Sequence, residues 1–405
     1  MDLSKTLIVL THQPLTKHNF IRFGVGSTYK NWKIKYWSIL PLINKKIYQD
    51  YTKKGSRYKK NKNFKVIFSY SNLIAELKKL PKNFFYLNNG GNFILASLIE
   101  RFLFIKGGRK IIFKVSPEIE LNLFTTQSIK NYILKNNILV ILKRIIFMLK
   151  DKLSLFISKK ISNINSELVF VFNNYMVKKI KTDYNKKLIK INSPEYELFL
   201  KTKNKKKIKT KRKSIVFIDD VIEDNFDYKL TYAQDSNRKK VDYWTSMEQL
   251  FNYLKKNFVN FDIKIAAHHR RNKYDLPLKK YKFFFDQTPE LIKNSDIVLS
   301  HNSFACQLAV LYNKPLIFLI SDYYKKHHYN AYLLTQELSK TLGSPIINVE
   351  KYSLKPNAKD VIKSVKINQK KYGEYKKKYI HHQKNKNYGS WSTILKYIEK
   401  KSKSN

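Results

Sequence analysis

Two clusters of polar side chains in the second half of the chain have the residue types that bind phosphate. The first is His268-His269-Arg270, and the second is Ser300-His301-Asn302-Ser303. Each follows directly on an apolar run typical of a β-strand, 261–267 for the first and 296–299 for the second. In doubly wound α/β sheets, ligands bind at the carboxyl ends of the strands. The two clusters therefore predict an anion-binding edge of one sheet.

The residues after the second cluster predict how this edge holds a phosphate group. A helical stretch begins at Phe304, so Asn302 or Ser303 is well suited as its N-cap. The free N–H groups and dipole of that helix, with the Ser303 hydroxyl, would form a phosphate cradle. A neighbouring His or Arg adds a charge-assisted hydrogen bond. The ordinary alternatives are a solvated loop histidine and a simple helix cap. The candidate donor-phosphate ligands are His268, Arg270, Thr288, Ser300, His301, Asn302 and Ser303.

Three blocks of this region carry a resemblance to a known family. They are Lys-Ile-Ala-Ala-His-His-Arg at 264–270, Gln-Thr-Pro-Glu-Leu-Ile-Lys-Asn-Ser-Asp-Ile-Val at 287–298, and Ser-His-Asn-Ser-Phe-Ala-Cys-Gln-Leu-Ala-Val-Leu-Tyr-Asn-Lys-Pro-Leu-Ile-Phe-Leu at 300–319. Together they resemble the donor domain of bacterial GT-B glycosyltransferases that build capsule and lipopolysaccharide. The His-Pro and Ser-Ser/Thr motifs of sialyl-, polysialyl- and Kdo-transferases, which use CMP-activated sugars, are similar. Teichoic-acid polyol-phosphate transferases share a comparable layout.

The resemblance implies a nucleotide-sugar donor and a glycan or lipid-linked acceptor, with no cofactor and no metal ion. It matches His268 to the phosphate-binding histidine of the family and Ser303 to the serine of the second motif. The family's His-Pro is His268-His269 here, which leaves the turn after the histidine undetermined. In sialyltransferases an acidic general base comes from the N-terminal domain. Its Asp/Glu-Asp/Glu-Gly motif is absent from the first half of this sequence, so the resemblance does not supply a base.

An inverting transfer needs a carboxylate or histidine that deprotonates the acceptor hydroxyl. Three residues at predicted strand ends are candidates for this general base: His12, Glu118 and Asp219. Each also has an ordinary alternative; Glu118, for example, follows Ser116-Pro117 and can simply cap a helix. The turn Asn88-Asn89-Gly90-Gly91 also follows a predicted strand, and its glycines permit either a close substrate approach or a tight turn.

Strands and helices alternate along both halves of the chain, which is typical of βαβ units and parallel sheets. We therefore expect an α/β fold of two Rossmann-like domains facing a cleft, the GT-B architecture. The expected boundaries are 1–200 for an acceptor-side domain, 201–213 for a Lys-rich linker, 214–345 for the donor domain and 346–405 for a helical tail. Within that tail, 391–398 could return to the first domain. The predicted strands are 7–10, 65–69, 84–87, 110–115, 167–172, 188–191, 214–218, 261–267, 283–285, 296–299 and 315–320.

The chain is strongly basic, with 80 Lys and Arg against 30 Asp and Glu and a formal net charge of +50. Compositional bias, an anionic membrane surface and nucleic acid each explain such an excess. No zinc-finger spacing, RNP-like box or Arg-rich arm occurs, so we expect no nucleic-acid partner. A basic nucleic-acid-binding protein nevertheless stays the alternative outside the enzymes. Polyol-phosphate transfer and sugar-nucleotide epimerisation are the alternatives within them.

Two basic segments are candidates for contact with a membrane. Residues 138–157 form a very apolar helical stretch interrupted by Lys and Arg at about the helical period, which predicts a basic amphipathic helix. A core helix with a lysine-lined exposed face is the equal alternative. Residues 201–213 are almost all Lys, Arg and Thr, and we expect them not to pack.

The cysteine and the remaining histidines do not indicate a disulfide or a metal site. The single cysteine, Cys306, lies in an apolar stretch and excludes an intramolecular disulfide. The pairs His327-His328 and His381-His382 lack acidic or Cys partners at metal spacing, so we expect no metal site. With no signal peptide and no apolar stretch of membrane-spanning length, we expect a cytoplasmic protein, peripheral on the inner face of the cytoplasmic membrane.

Overall fold

A computed structural model describes residues 5–13, 16–25, 29–53, 63–91, 93–114, 138–172, 188–206, 211–221, 240–381 and 388–403. These residues divide into two compact units. Unit 1 contains the described residues up to 114, those from 138 to 191, and 388–403. Unit 2 contains those from 192 to 381.

Unit 1 is built on a seven-stranded sheet in which every pair of neighbouring strands is parallel. Its strands are β1 Thr6–Thr11, β2 Lys33–Ser38, β3 Phe64–Val66, β4 Phe85–Asn89, β5 Arg109–Lys114, β6 Leu168–Val171 and β7 Leu188–Lys190. Their order is β3-β2-β1-β4-β5-β6-β7, so the direction of winding reverses between β1 and β4. All six residues of β1 are buried, as expected for a parallel strand covered on both faces.

Helices cover both faces of this sheet. They are α1 Lys17–Arg22, α2 Leu40–Ile43, α3 Lys45–Lys53, α4 Tyr70–Lys78, α5 Ile94–Ile105, α6 Ile138–Ile161 and a C-terminal helix, Ser390–Lys403. One face packs α4 and α5 through Leu73, Ile99 and Leu103. The opposite face packs the C-terminal helix through Trp391, Ile394 and Ile398.

The C-terminal helix is fixed in unit 1 by a close contact with the turn after α1. The indole N–H of Trp391 donates to the carbonyl oxygen of Arg22 over 2.7 Å. Gly24 has φ +64, and a Cβ there would lie 2.3 Å from the Trp391 ring. Only glycine allows both the backbone conformation and the approach of the ring. The chain therefore returns to its first unit at Trp391–Ile398, as the sequence suggested.

Unit 2 contains a six-stranded parallel sheet. Its strands are β8 Lys213–Ile218, β9 Phe261–Ala266, β10 Phe283–Phe284, β11 Ile297–Ser300, β12 Leu316–Ile320 and β13 Ile346–Asn348. Their order is β10-β9-β8-β11-β12-β13, which is the Rossmann order 3-2-1-4-5-6 when counted from the first strand of the unit. The winding thus reverses between β8 and β11.

Eight helices of unit 2 lie within the described residues, on both faces of the sheet. They are α7 Pro194–Thr202, α8 Lys240–Asn257, α9 Thr288–Asn294, α10 Cys306–Leu311, α11 Asp322–His327, α12 Tyr329–Leu342, α13 Ala358–Ser364 and α14 Gln369–Tyr375. The C-terminal helix of unit 1 is α15. One core joins α8 and α13 to the sheet, and the other joins α10, α12 and α14 to its opposite face.

The predicted fold class is confirmed, since both halves are Rossmann-like α/β units with parallel sheets. Each strand predicted from the sequence has a counterpart, displaced by at most a few residues. The sequence analysis missed β2 and β13. In β2 the exposed Lys33 and half-buried Lys35 interrupt the apolar run, and β13 is only three residues long.

The division of the chain differs from the expected boundaries. The chain enters unit 2 at Asn192, ahead of the Lys-rich segment, and the expected tail is shared between the two units. Residues 201–206 are not an unpacked linker. The Lys293 ammonium group donates to the carbonyl oxygens of Thr202, Lys203 and Lys205, and Lys205 pairs with Glu290 over 2.7 Å. The backbone of 202–205 is thus attached to α9 through Lys293, and the Glu290 carboxylate compensates the charge of Lys205.

Within the described parts of the chain, no helix has the length and apolar character needed to span a bilayer.

Candidate functional site

The reversal of winding between β8 and β11 marks the expected ligand crevice of unit 2. Loops from two adjacent strands diverge at such a point and leave room for a ligand at their carboxyl ends. The loop after β8 begins with Asp219, and the loop after β11 contains His301, Asn302 and Ser303. The loop after β9, one strand away, contains His268. Folding therefore brings both predicted clusters to one edge of the sheet.

A buried ion pair fixes two of these loops to each other. Asp219 accepts hydrogen bonds from Arg271 Nε over 2.8 Å and from Arg271 Nη2 over 2.5 Å. The same carboxylate accepts the backbone N–H groups of Val221 and His268, at 3.1 and 3.2 Å. The Arg271 guanidinium carbon also lies 5.0 Å from the Trp244 ring centroid. The pair therefore sets the position of the loop that carries His268.

The surroundings of Asp219 exclude the role of general base that we considered for it. The carboxylate is 2% exposed and its oxygens already accept four hydrogen bonds. Burial alone would raise its pKa, but the Arg271 charge and hydrogen bonds outweigh burial and lower the pKa. A carboxylate that binds protons so weakly and faces no solvent is poorly suited to take a proton from a substrate.

His268 has a defined orientation at the end of β9. Its Nδ1 accepts the backbone N–H of Arg270 over 3.2 Å, and its ring lies against that of His269, tilted by 35° with centroids 4.2 Å apart. A ring nitrogen that accepts a hydrogen bond carries no proton, so the neutral imidazole has its proton on Nε2. Nε2–H is then a donor suited to a phosphate oxygen. His268 and Arg270 are both half-buried.

Ser303 and Asn302 are half-buried in the loop after β11. The expected helix cap is different, because α10 begins at Cys306 and its N-cap is Ala305. Ser303 Oγ instead accepts the backbone N–H of Ala305 over 3.3 Å, inside a tight turn that precedes the helix. The hydroxyl proton of Ser303 remains able to donate to an anion.

His301 and Ser300 do not fit the phosphate role that we predicted for them. Both side chains are fully buried. His301 Nδ1 lies 2.6 Å from the Leu319 carbonyl oxygen, its Nε2 lies 2.7 Å from the Tyr243 hydroxyl, and its ring stacks on Tyr324. Burial lowers the pKa of His301 to about 4. This histidine is a neutral core residue that joins α8, β12 and α11.

Thr288 follows a strand that does not border the reversal of winding. It is the first residue of α9, after the edge strand β10, and is half-buried. β10 is separated from β8 by β9, so two strand spacings of about 4.8 Å lie between them. The strand order therefore places Thr288 at the margin of the predicted site.

Two carboxylates at the same edge were missed by the sequence analysis. Asp322 follows β12 and Glu350 follows β13, and Glu350 Oε2 accepts the backbone N–H of Asp322 over 3.0 Å. Burial is the main reason that the pKa of Glu350 is raised. The signal was the apolar stretch at 345–349 that ends in Glu350, which becomes informative only when β13 is recognised as a strand.

The corresponding edge of unit 1 has a different chemistry. His12 follows β1 and Gly90-Gly91 follow β4, so they border the reversal of winding in that sheet. His12 Nδ1 would lie 3.4 Å from a Cβ placed on Gly91, whose φ is +76, and the His12 ring lies 5.6 Å from Phe93. The third base candidate, Glu118, lies outside the described residues.

Buried side chains hold the glycine loop of unit 1 in place. Asn88 Oδ1 accepts the backbone N–H of Gly90 over 2.9 Å, and Asn88 Nδ2 donates to Glu100 over 2.7 Å. Glu100 is buried and pairs with Lys110 over 2.5 Å. Asn88, Glu100 and Lys110 thus hold the loop beside His12 in place, as the Asp219–Arg271 pair holds the His268 loop in unit 2.

Within the described ranges, no group of three or more His, Cys, Asp or Glu side chains is arranged to hold a metal ion.

The two sheets define the class of protein to which this fold belongs, an α/β protein of two Rossmann-like units with parallel sheets. No protein-family model matches the chain, and no curated protein matches its sequence significantly. Solved structures do match it along nearly the whole length. One is the wall teichoic acid polymerase TagF, with 12% identity over 99% of this chain and 90% of TagF, at a TM-score of 0.55.

Two further solved structures are also similar. A UDP-N-acetylglucosamine 2-epimerase from Listeria monocytogenes, described as putative, has 9% identity over 100% of this chain and 98% of its own, at a TM-score of 0.51. S. aureus MnaA, solved with UDP, has 11% identity over 98% and 97% of the two chains, at a TM-score of 0.50. At these identities the likeness shows the fold alone, the GT-B fold of two Rossmann-like units.

Proposed function

We propose that this protein transfers a sugar from a nucleotide-activated donor to a surface polysaccharide or lipid-linked glycan. One observation carries the proposal: the reversal of winding in unit 2 gathers His268, Arg270 and Ser303 at a single sheet edge. Imidazole, guanidinium and hydroxyl donors at the carboxyl ends of parallel strands form a site suited to a diphosphate or monophosphate group. A GT-B fold is consistent with such a donor.

In this proposal unit 2 stabilises the leaving phosphate without a metal ion. As the bond to the sugar breaks, negative charge develops on the phosphate oxygens. His268 Nε2–H, the Arg270 guanidinium and the Ser303 hydroxyl donate hydrogen bonds to those oxygens. The Asp219–Arg271 pair holds the His268 loop in place before the donor arrives, which lowers the cost of ordering the site.

Unit 1 would bind the acceptor, with His12 as general base. An imidazole ring is suited to take a proton from a hydroxyl group. The glycines Gly90 and Gly91 allow a sugar ring to approach the backbone beside His12. Glu118 stays an untested base candidate, whereas the ion pair to Arg271 argues against Asp219.

The test of the donor site is thermal stabilisation by CMP, CDP, UDP, GDP and a short DNA duplex, each at low and moderate salt. A salt-tolerant shift with one nucleotide, reduced in His268→Ala and in Ser303→Ala, is expected and would name the donor class. Ser364→Ala, at the exposed C-terminal end of α13, is the matched control and should keep the shift. No nucleotide shift, with a DNA shift that disappears in salt, would instead indicate a nucleic-acid-binding protein.

Transfer of a polyol phosphate is the second candidate, favoured by the likeness to TagF, which was also solved after a CDPG soak. Epimerisation of a sugar nucleotide is the third, favoured by the likeness to the UDP-N-acetylglucosamine 2-epimerase structure from Listeria monocytogenes. Product analysis distinguishes the three reactions. A transferred sugar, a transferred polyol phosphate and an isomerised donor without any acceptor are the respective products.

A further inference from the structure

Helix α6 of unit 1 carries a stripe of apolar side chains that face solvent. Ile146, Leu149, Leu153 and Phe156 are each more than half exposed. At about 100° per residue, these four positions lie within about 80° of one another around the helix. The alternative of a core helix, which the sequence left open, would bury this stripe. The structure instead presents it outward.

Basic side chains flank the stripe on both sides. Lys150 lies about 80° to one side of its centre and Lys152 about 80° to the other, and both are exposed. Near the end of the helix, the Lys160 ammonium lies 5.0 Å from the centroid of the Phe156 ring. An apolar stripe bordered by lysines is the arrangement of helices that lie in the interface of an anionic bilayer.

Helix α5 extends this surface. It packs against α6, and its residues Leu98, Phe102 and Ile105 are exposed by 41, 49 and 68%. Arg101, within the same helix, is also exposed. The acidic residue of α5, Glu100, is turned inward to Lys110. Of the charged side chains on α5 and α6 that the structure describes, those exposed are all Arg or Lys.

We propose that α5 and α6 together form a docking surface for an anionic phospholipid bilayer. The apolar side chains of both helices enter the boundary between headgroups and acyl chains, and the surrounding lysines and arginine contact the lipid phosphates. The sequence of α6 alone suggested this contact, whereas the part played by α5 follows from the structure. The second basic segment predicted for the membrane, 201–213, lies in part outside the described residues, and the carbonyl oxygens of Thr202 and Lys203 in it accept hydrogen bonds from Lys293 of α9.

The charge of the protein selects this occupant over a second copy of the chain. Two copies would each bring a cationic surface and a formal net charge of +50, and like charges would oppose their association. A bilayer containing anionic lipid offers an apolar interior for the exposed apolar side chains and negatively charged headgroups for the lysines and the arginine. The proposal concerns binding alone and does not depend on the reaction proposed above.

Cosedimentation with vesicles tests the proposal. The protein should bind vesicles of phosphatidylcholine with phosphatidylglycerol and bind those of phosphatidylcholine alone more weakly. Combining Leu149→Ser, Leu153→Ser and Phe156→Ser should lower the vesicle partition coefficient about tenfold or more. Phe102→Ser with Ile105→Ser should lower it by a smaller factor. Lys150→Glu with Lys152→Glu should abolish the preference for phosphatidylglycerol.

Matched variants outside the surface keep the test specific. Val259→Ser with Leu354→Ser removes equally exposed apolar groups from unit 2, and Lys366→Glu with Lys370→Glu reverses equally exposed charges there. Both should bind vesicles like the wild type. Circular dichroism and nucleotide-induced thermal shifts, which report on fold and on unit 2, should be unchanged in every variant.

Three outcomes would overturn the proposal. They are no vesicle binding by the wild type, equal losses in the surface and control variants, and binding unaffected by the α6 substitutions. Concentration-dependent self-association that disappears with the α6 substitutions, without vesicle binding, would assign the surface to a second copy instead.

Discussion

The two units share one topology but present different chemistry at the point where the winding of the sheet reverses. In unit 2 the loop after β11 carries Ser303, and the loop after the adjoining strand β9 carries His268 and Arg270; these side chains can donate hydrogen bonds to an anion. In unit 1 the described residues of the loops after β1 and β4 include His12 and two glycines, but no Lys or Arg. The same strand order thus carries different side chains in the two units, because loop residues rather than strands set the chemistry, and this difference underlies the proposed donor and acceptor roles.

At both sheet edges a buried carboxylate is paired with a basic side chain, but the basic residue and its exposure differ between the two units. In unit 2, Asp219 binds the two-pronged guanidinium of Arg271, whose side chain is 6% exposed. In unit 1, Glu100 binds the single ammonium of Lys110, whose side chain is 14% exposed. Arginine fits a buried carboxylate through two parallel hydrogen bonds, whereas a lysine can reach water with its ammonium group. The unit 2 edge should therefore be the more rigid of the two.

The largest expected effect separates the roles of the two edges. His12→Asn should lower turnover by about 10²- to 10⁴-fold, since general-base catalysis contributes that range. The nucleotide-induced thermal shift should be unchanged, because the proposed donor site lies in unit 2. Initial rates with donor and acceptor, beside the thermal shift, make the measurement. An unchanged rate would remove His12 as the base and leave Glu118 as the candidate to test.

The second effect compares the two buried pairs through stability. Asp219→Asn leaves Arg271 buried and unpaired and should cost about 3–5 kcal/mol of the free energy of unfolding. Glu100→Gln should cost less, since the Lys110 ammonium can turn to solvent. Urea denaturation measures both, with Glu248→Gln, from an exposed pair with Lys280, as the control near zero. Equal losses at Asp219 and Glu100 would contradict the difference in rigidity.

The third effect is a pH dependence that unit 2 owes to His301. The ordinary histidine pKa of 6.5 falls to about 4 in the folded protein, so between these values the unfolded chain binds more protons. The free energy of unfolding should therefore decrease as pH falls from 6.5 to 4, by about 3 kcal/mol in total. His301→Gln should flatten this dependence. Denaturation curves across that pH range check it, and parallel wild-type and variant curves would refute it.

The smallest effect concerns the margin of the donor site. Thr288→Ala should change nucleotide affinity by less than about twofold, because two strand spacings separate β10 from β8. Ser303→Ala should weaken binding by about tenfold, the value of one hydrogen bond to a charged group. Isothermal titration with the nucleotide that stabilises the protein compares the two. An equal loss at Thr288 would extend the site across the whole edge of the sheet.

The sequence by itself determined the fold class and the sheet edges to which the candidate residues belong. Parallel strands covered on both faces must be apolar throughout, so β1, β8 and β12 are visible as uninterrupted runs. The polar residues that follow such runs necessarily fall at the carboxyl edge of the sheet. This reasoning found His268, Ser303 and His12 before any contact was known.

Only the tertiary structure decided which of these polar residues face a ligand. His301 and Ser303 are two positions apart, yet one is enclosed by Tyr243, Leu319 and Tyr324 and the other is half-exposed. Asp219 is poorly suited to act as a base because it is paired with Arg271, a residue 52 positions away in the chain. Burial and pairing are set by contacts between residues that are distant in sequence. Local sequence patterns therefore do not predict those contacts. Strand order, which places Thr288 two strands from the crevice, has the same long-range origin.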